Sequence, residues 1–236
     1  MVPSPFQKDG LGLFLNMVTP TLTDPPHQPV SEFDLAYFPM AEEALAGAFE
    51  GDPMTSYLFP SSTNNQNRLR YLFRVELRYT FRHGLVETIG EGRALALWLP
   101  PRRMKGAFNA MIQSGAALAP FRMGLKAAWR VVLLLRSLHE LHSRLESGDH
   151  WYLLGLGVHP QHQGRGWGSD LLRQGIARAQ SMNLPCYLET TNQRNVAYYE
   201  RNGFRLVGER PIAGGGPTIW GMRRPAITDA ERFSRG

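Results

Sequence analysis

The sequence predicts an α/β fold, on three observations. Its second half alternates apolar strand-like runs with amphipathic helical ones: "WYLLGLGV" (151–158), "SDLLRQGIARAQSM" (169–182), "PCYLETT" (185–191), "NQRNVAYYERN" (192–202), "FRLVGER" (204–210) and "TIWGMRR" (218–224). A glycine-rich turn, "QGRGWG", hands the first of these strands over to the first helix. Hydrophobic residues make up 43% of the 236-residue chain and are well spread, enough to build a substantial core.

The first half supplies further elements. Residues 1–29 are proline-rich and predict an extended arm, because proline fixes φ and withholds a backbone donor. "VSEFDLAYF" (30–38) is a first strand or the lead-in to a helix. Residues 40–52 have Ala41, Ala44, Leu45, Ala48 and Phe49 at helical spacing, with Gly51 as a stop. Residues 52–62 read as a loop. Helix 65–83 puts Leu69, Leu72, Phe73, Leu77 and Thr80 on one face, interrupted by the carboxyl of Glu76. "GLVETIG" and "RALALWLPP" form two strands around a "GEG" turn. Residues 102–147 read as helix in two pieces broken near Pro120, the second partly buried at Val131–Leu135. The organisation expected is an arm (1–29), one domain (30–224) carrying a helical insertion (102–147), and a polar tail (225–236).

Composition excludes several classes. Lys+Arg number 26 against 20 Asp+Glu, a net charge of +6, which favours anionic partners. The arginines are scattered without a basic block, so no nucleic-acid partner is expected. The single cysteine, Cys186, rules out an internal disulfide and a zinc–cysteine cluster. The longest aliphatic run, Val131–Leu135, is far below the ~20 residues of a membrane span. "LGLFLNMV" (11–18) is broken by Asn16, preceded by Asp9 and followed by no small-residue cleavage site. The expectation is a cytoplasmic protein without membrane association, a monomer or homodimer.

The glycine turn carries the chemistry. The first turn of a helix presents unpaired N–H groups and partial positive charge, which attract phosphate. Gly164, Gly166 and Gly168 let the backbone pass close to a ligand, and Arg165 adds a full charge. Gln163 can bond a phosphate oxygen or tie the loop to itself; Trp167 and Ser169 open the helix. A Walker loop is excluded because no Gly-Lys-Ser/Thr ending exists. A dinucleotide fingerprint fails because Ser169 or Pro160 stands where its last glycine belongs. What remains is Q-x-x-G-x-G at Gln163, Gly166 and Gly168.

That spacing, with Val158 and Pro160 before it, resembles the pyrophosphate loop of the GCN5-related N-acetyltransferases. "YLETTNQRNVAYYERNGF" resembles the same family's strand–helix block, here with Asn192, Asn195, Tyr199, Gly203 and Phe204. "AFEGDP", "ALALWLPP" and "YLET" are similar in particular to the branch that contains puromycin N-acetyltransferase. The resemblance covers about residues 40–224. It implies a mixed, mostly antiparallel sheet that splays at an acetyl-CoA site, with flanking helices. It also implies main-chain N–H groups around Gly157 and Val158 that polarise the acetyl carbonyl, a contribution of ~3–4 kcal/mol.

Acetyl transfer to an amine needs a group to take the amine's proton and one to protonate the departing thiolate. Strand alternation puts Tyr187 and Glu189 on one face and Cys186, Leu188 and Thr190 on the other. The resemblance implies that Glu189 faces the acceptor as base, directly or through water, and that Tyr199 is the acid. Asn192 suits a helix cap, and Asn192 or Asn195 can bond the pantetheine arm. Tyr198 reads as packing. His139 and His142 ("HELH") lack the zinc-protease spacing, and no metal is expected. His159 and His162 flank the loop with no catalytic role. Tyr57, Phe59, Trp98 and Phe108 are candidates for an acceptor wall, although on strand grounds alone Trp98 belongs to the core. The acceptor expected is a small amine, an antibiotic or amino-bearing metabolite. The alternatives are a protein N-terminus or lysine, and a non-catalytic acyl-CoA sensor, against which Glu189 and Tyr199 together argue.

Overall fold

The computed structural model describes residues 29–60, 65–101, 107–146 and 148–226, with the side chains of 107–109 excluded. The arm expected over 1–29 and the tail expected over 225–236 therefore fall almost wholly outside the described residues. In chain order the elements are β1 (Ser31–Glu32), a 3-10 turn, α1 (Phe38–Ala48), α2 (Pro53–Leu58), α3 (Asn65–His83), β2 (Leu85–Ile89) and β3 (Ala94–Leu99). There follow α4 (Ala107–Gln113), α5 (Ala119–Met123), α6 (Leu125–Leu145), β4 (Trp151–Val158), α7 (Trp167–Ser181), β5 (Cys186–Thr190), α8 (Gln193–Arg201), β6 (Arg205–Pro211) and β7 (Thr218–Arg224).

Among the described residues the strands form one seven-stranded sheet in the order β1-β2-β3-β4-β5-β7-β6. Only the central β4–β5 pair is parallel; the other neighbours run antiparallel. The hydrophobic pattern of β3 shows why the middle of the sheet is buried on both faces. Leu95 and Leu97 pack with Leu45, Phe73, Leu77 and Leu134 beneath α1, α3 and α6. Ala94, Ala96 and Trp98 pack with Leu171, Leu172 and Ile176 of α7 on the opposite face. Each fully buried leucine contributes ~1.5–3 kcal/mol. α7 lies close enough to the sheet that a Cβ on Gly175 would meet the Trp98 ring at 2.2 Å. Glu87 of β2, buried on that face, pairs with Arg178 of α7 at 2.5 Å.

Two irregularities position the site. β4 pairs with β5 only at Trp151–Leu153 against Cys186–Leu188, and beyond Leu153 the two strands part. On its other edge β4 carries an extra residue, since Leu97 faces Gly155 while Trp98 faces Leu153, leaving Leu154 as the bulge. The bulge puts Leu154 and Gly155 on the α3 side in succession: Leu154 packs on that core, and a Cβ on Gly155 would stand 2.8 Å from Glu76 Oε1.

The structure corrects the expected loop at 52–62. Asp52 accepts a hydrogen bond from Met54 N at 2.9 Å and Pro53 opens the first turn, so the segment starts as a short helix. The expected break near Pro120 also moves. Pro120 sits in the first turn of α5, where its missing N–H costs nothing, and the chain breaks instead at Gly115 and Gly124, at φ +116° and +87°. The partial burial expected at Val131–Leu135 is what the structure has, for Leu134 is 5% exposed while Val132 is 49% exposed.

Candidate functional site

The turn after β4 and the opening of α7 form one wall of a groove of about 650 Å³. Gly164 and Gly166 adopt φ of +77° and +80°, the left-handed region that favours glycine, and a Cβ at either would have nothing within 4 Å. Gly166 stands at the N-cap of α7, so the first amides of that helix open onto the groove. The side chain of Gln163 donates to Val158 O at 3.1 Å and ties the loop back to the strand end. Arg165 lies over Trp167, whose ring stacks on His162 at 5.1 Å between centroids.

The groove collects every residue nominated for the cofactor: Gly157, Val158, Gln163, Gly164, Arg165, Gly166, Trp167, Gly168, Ser169, Asn192, Asn195 and Tyr199. Asn192 caps α8 by accepting from Arg194 N at 3.1 Å, and Asn195 Nδ2 donates to Thr190 Oγ1 at 3.4 Å. Tyr198 does more than pack, since its hydroxyl lies 3.3 Å from Ser169 Oγ on the groove wall.

A second space of about 170 Å³ lies beneath α3 and α6, where β4 and β5 diverge. Its walls are mostly apolar, including Phe73, Val131, Leu134 and Leu138, and Asp52, Glu76 and Glu189 supply carboxylates. Phe49, Asp52, Leu156, Asn195 and Tyr199 border both spaces, so groove and cavity meet at Tyr199. Burial, aided by Tyr198 and Asp52, pushes the Tyr199 hydroxyl well above the ordinary phenol range. It therefore keeps its proton at neutral pH, as a proton donor must. Thr191 Oγ1 donates to Asp52 Oδ1 at 2.9 Å and pins the start of α2 to the end of β5.

Glu189 projects from β5 into the cavity, with its side chain only 2% exposed and His142 Nδ1 3.4 Å from Oε1. Neither of its oxygens has a hydrogen bond of good geometry. His142, Tyr152 and Tyr187 form an aromatic nest around it, with ring centroids 5.0 Å (His142–Tyr152) and 4.7 Å (His142–Tyr187) apart. Glu76 enters from α3, and desolvation pushes its carboxyl up to about 8. Cys186 faces away into the α7-side core, where burial pushes its thiol up to about 12.

The acceptor wall is not the one expected. Trp98 is fully buried on the opposite face of the sheet beneath α7. Tyr57 packs into the core and donates its hydroxyl to Ala213 O at 2.9 Å; Phe59 is 2% exposed beneath Arg68. None of these lines the cavity. Phe108 lies outside the described side chains. Sequence reasoning missed Glu76, Asp52 and His142. The signal for Glu76 was a lone carboxyl on an apolar helical face; nothing local pointed His142 at a strand 47 positions further along. Among the described residues no group of His, Cys, Asp and Glu is arranged to hold a metal, and no helix is long and apolar enough to cross a membrane.

A parted strand pair beside a helix N-terminus suited to phosphate, with a protonated tyrosine where groove meets cavity, is an arrangement that suits an acyltransferase. The comparisons with known proteins agree. Residues 132–204 match the acetyltransferase (GNAT) family model. An uncharacterised N-acetyltransferase of Schizosaccharomyces pombe is 27% identical over 172 residues, 70% of this chain and 69% of that protein. A crystal structure described as histone acetyltransferase HPA2 and related acetyltransferase, from Corynebacterium glutamicum, is 26% identical, superimposes with a TM-score of 0.61, and is covered over 97% of its length by 85% of this chain. A Drosophila melanogaster polyamine N-acetyltransferase shares the fold at a TM-score of 0.55 and 16% identity, over 84% of this chain and 99% of that one. Over residues 132–204 the chain is similar to the GNAT N-acetyltransferases, a family that implies acetyl-CoA as co-substrate. The residues fit such a ligand, for the space beside Gly164 and Gly166 is open next to the first amides of α7, which can bind a diphosphate.

Proposed function

We propose that the protein transfers the acetyl group of acetyl-CoA to the primary amine of a small molecule, by direct attack while both substrates are bound. The observation that carries this reading is the mostly apolar, carboxylate-bearing cavity of about 170 Å³ that opens into the groove at Tyr199. Such a space suits a small body. The likeness of "AFEGDP", "ALALWLPP" and "YLET" to the puromycin-acetylating branch supports a small acceptor too, as does the polyamine named for the Drosophila enzyme.

In this reading one domain spans 30–224, and the helices of 102–147 cover the acceptor. The loop from Gln163 to Ser169 holds the diphosphate with main-chain amides and Arg165. Amides near Gly157 and Val158, on the arm of β4 that has left β5, face the acetyl oxygen. A carboxylate of the cavity takes the amine's first proton; Glu189, the residue nominated from sequence, is among the candidates. The amine attacks the acetyl carbon, the C–S bond breaks, and the thiolate takes the proton of Tyr199. The second N–H proton then restores the tyrosine.

A panel of small primary amines and an N-terminal peptide, assayed for acetyl-CoA-dependent thiol release, tests the proposal. Turnover of small amines well above the peptide supports it, and turnover of the peptide alone overturns it.

A further inference from the structure

We infer that Glu76, rather than Glu189, receives the acceptor's proton, and that the acceptor is a monoamine with a compact, ring-sized apolar body whose ammonium seats on the cavity side of the Glu76 carboxyl, where that group lies against β4. This rests on the small-amine reading above and specifies its acceptor.

Glu76 reaches the strand that carries the chemistry. Its Oε1 occupies the place a side chain on Gly155 would fill, 2.8 Å from that Cβ position. Gly155 lies just past Leu153, the last β4 residue paired to β5, and two positions before Gly157. An amine held there approaches an acetyl group bound along the parted arm of β4. Glu189 stands on the other arm, withdrawn among His142, Tyr152 and Tyr187. Its oxygens shape the far end of the cavity.

The apolar lining of the cavity includes Phe73, Met111, Val131, Leu134 and Leu138. A cavity of ~150 Å³ with such walls holds a benzene ring, and this one measures about 170 Å³. An ammonium buried there needs a carboxylate within contact, and loss of a proton is required before nitrogen can attack. Glu76 then carries that proton to solvent, while Tyr199 handles the one delivered to sulfur.

The test compares 2-phenylethylamine with 2-phenylethanol, which keeps the shape and loses the charge, by calorimetric titration into the protein–CoA complex. The expected result is tighter binding of the amine by ten-fold or more, abolished in Glu76→Gln and kept in Glu189→Gln. In turnover with acetyl-CoA, Glu76→Gln loses 100-fold or more in kcat with the KM for acetyl-CoA unchanged, and Glu76→Asp recovers part of it. Retention of the amine preference or of turnover in Glu76→Gln overturns the assignment, and spermidine used as well as 2-phenylethylamine overturns the substrate class. Amine binding that depends on Glu76 without any turnover upholds the seat and instead overturns the proposed function; no amine binding at all overturns both.

Discussion

His142 Nδ1 stands 3.4 Å from Glu189 Oε1, joining α6 to β5 through a pair almost wholly withdrawn from water. A buried carboxylate that loses its polar neighbour keeps its desolvation cost, whereas replacing both partners by apolar groups removes that cost. His142→Leu is expected to lower the unfolding free energy by ~1–3 kcal/mol in urea titrations, and His142→Leu with Glu189→Leu to recover most of the loss. An equal or greater loss in the double variant would show that the pair does not act as a unit.

Glu76 gives stability a pH dependence of defined sign. Its folded carboxyl is raised from 4.5 to about 8. The fold therefore favours the protonated form, and the unfolded chain gives up that proton first as pH rises. Stability contributed through Glu76 is complete below about 4.5 and is lost as pH climbs through about 8. Glu76→Gln, which cannot ionise, is expected to be more stable than wild type at pH 9 by up to ~4 kcal/mol and indistinguishable at pH 4. Urea midpoints across that range give the comparison.

Tyr199→Phe removes the proton donor and keeps the ring. Turnover is expected to fall ~100-fold, with acetyl-CoA binding changed less than ~2-fold. A large loss of cofactor affinity at unchanged saturated turnover would make Tyr199 a binding residue.

Glycines of the site differ in why they are glycine. At Gly175 an added methyl would stand 2.2 Å from the Trp98 ring, in a core with no room to yield. Gly175→Ala is expected to cost ~3 kcal/mol or more. At Gly164 nothing lies within 4 Å of an added Cβ and only the φ of +77° objects, so Gly164→Ala is expected to cost ~1–2 kcal/mol. Thermal unfolding of the two variants ranks them.

Cys186 is the chain's one thiol, buried and pushed up to about 12. A thiol-specific disulfide reagent at pH 8 is expected to modify none of the native protein and one group per chain after denaturation, because the thiolate is the reactive species.

Much of the cofactor side was legible because it is local. A strand, a glycine turn and a helix start are contiguous, and the residues from Gln163 to Ser169 carry their geometry in their own φ preferences and caps. The acceptor side draws on α1, α3, α6 and the parted ends of β4 and β5, brought together only by packing. Trp98 takes the core place its strand favours rather than one in the acceptor wall: β3 is apolar on both faces, and nothing in "ALALWL" tells which side meets the cavity. Glu76 was visible as an oddity on its helix, but its meaning depends on Gly155, 79 positions away, lacking a side chain.

The most direct measurement is the initial-rate pattern when acetyl-CoA and a small primary amine are varied against each other. If groove and cavity hold both substrates at once and meet at Tyr199, the double-reciprocal lines intersect and one thiol is released per amide formed. Parallel lines, the mark of an acyl group parked on the protein, or thiol release with no amide, would contradict it.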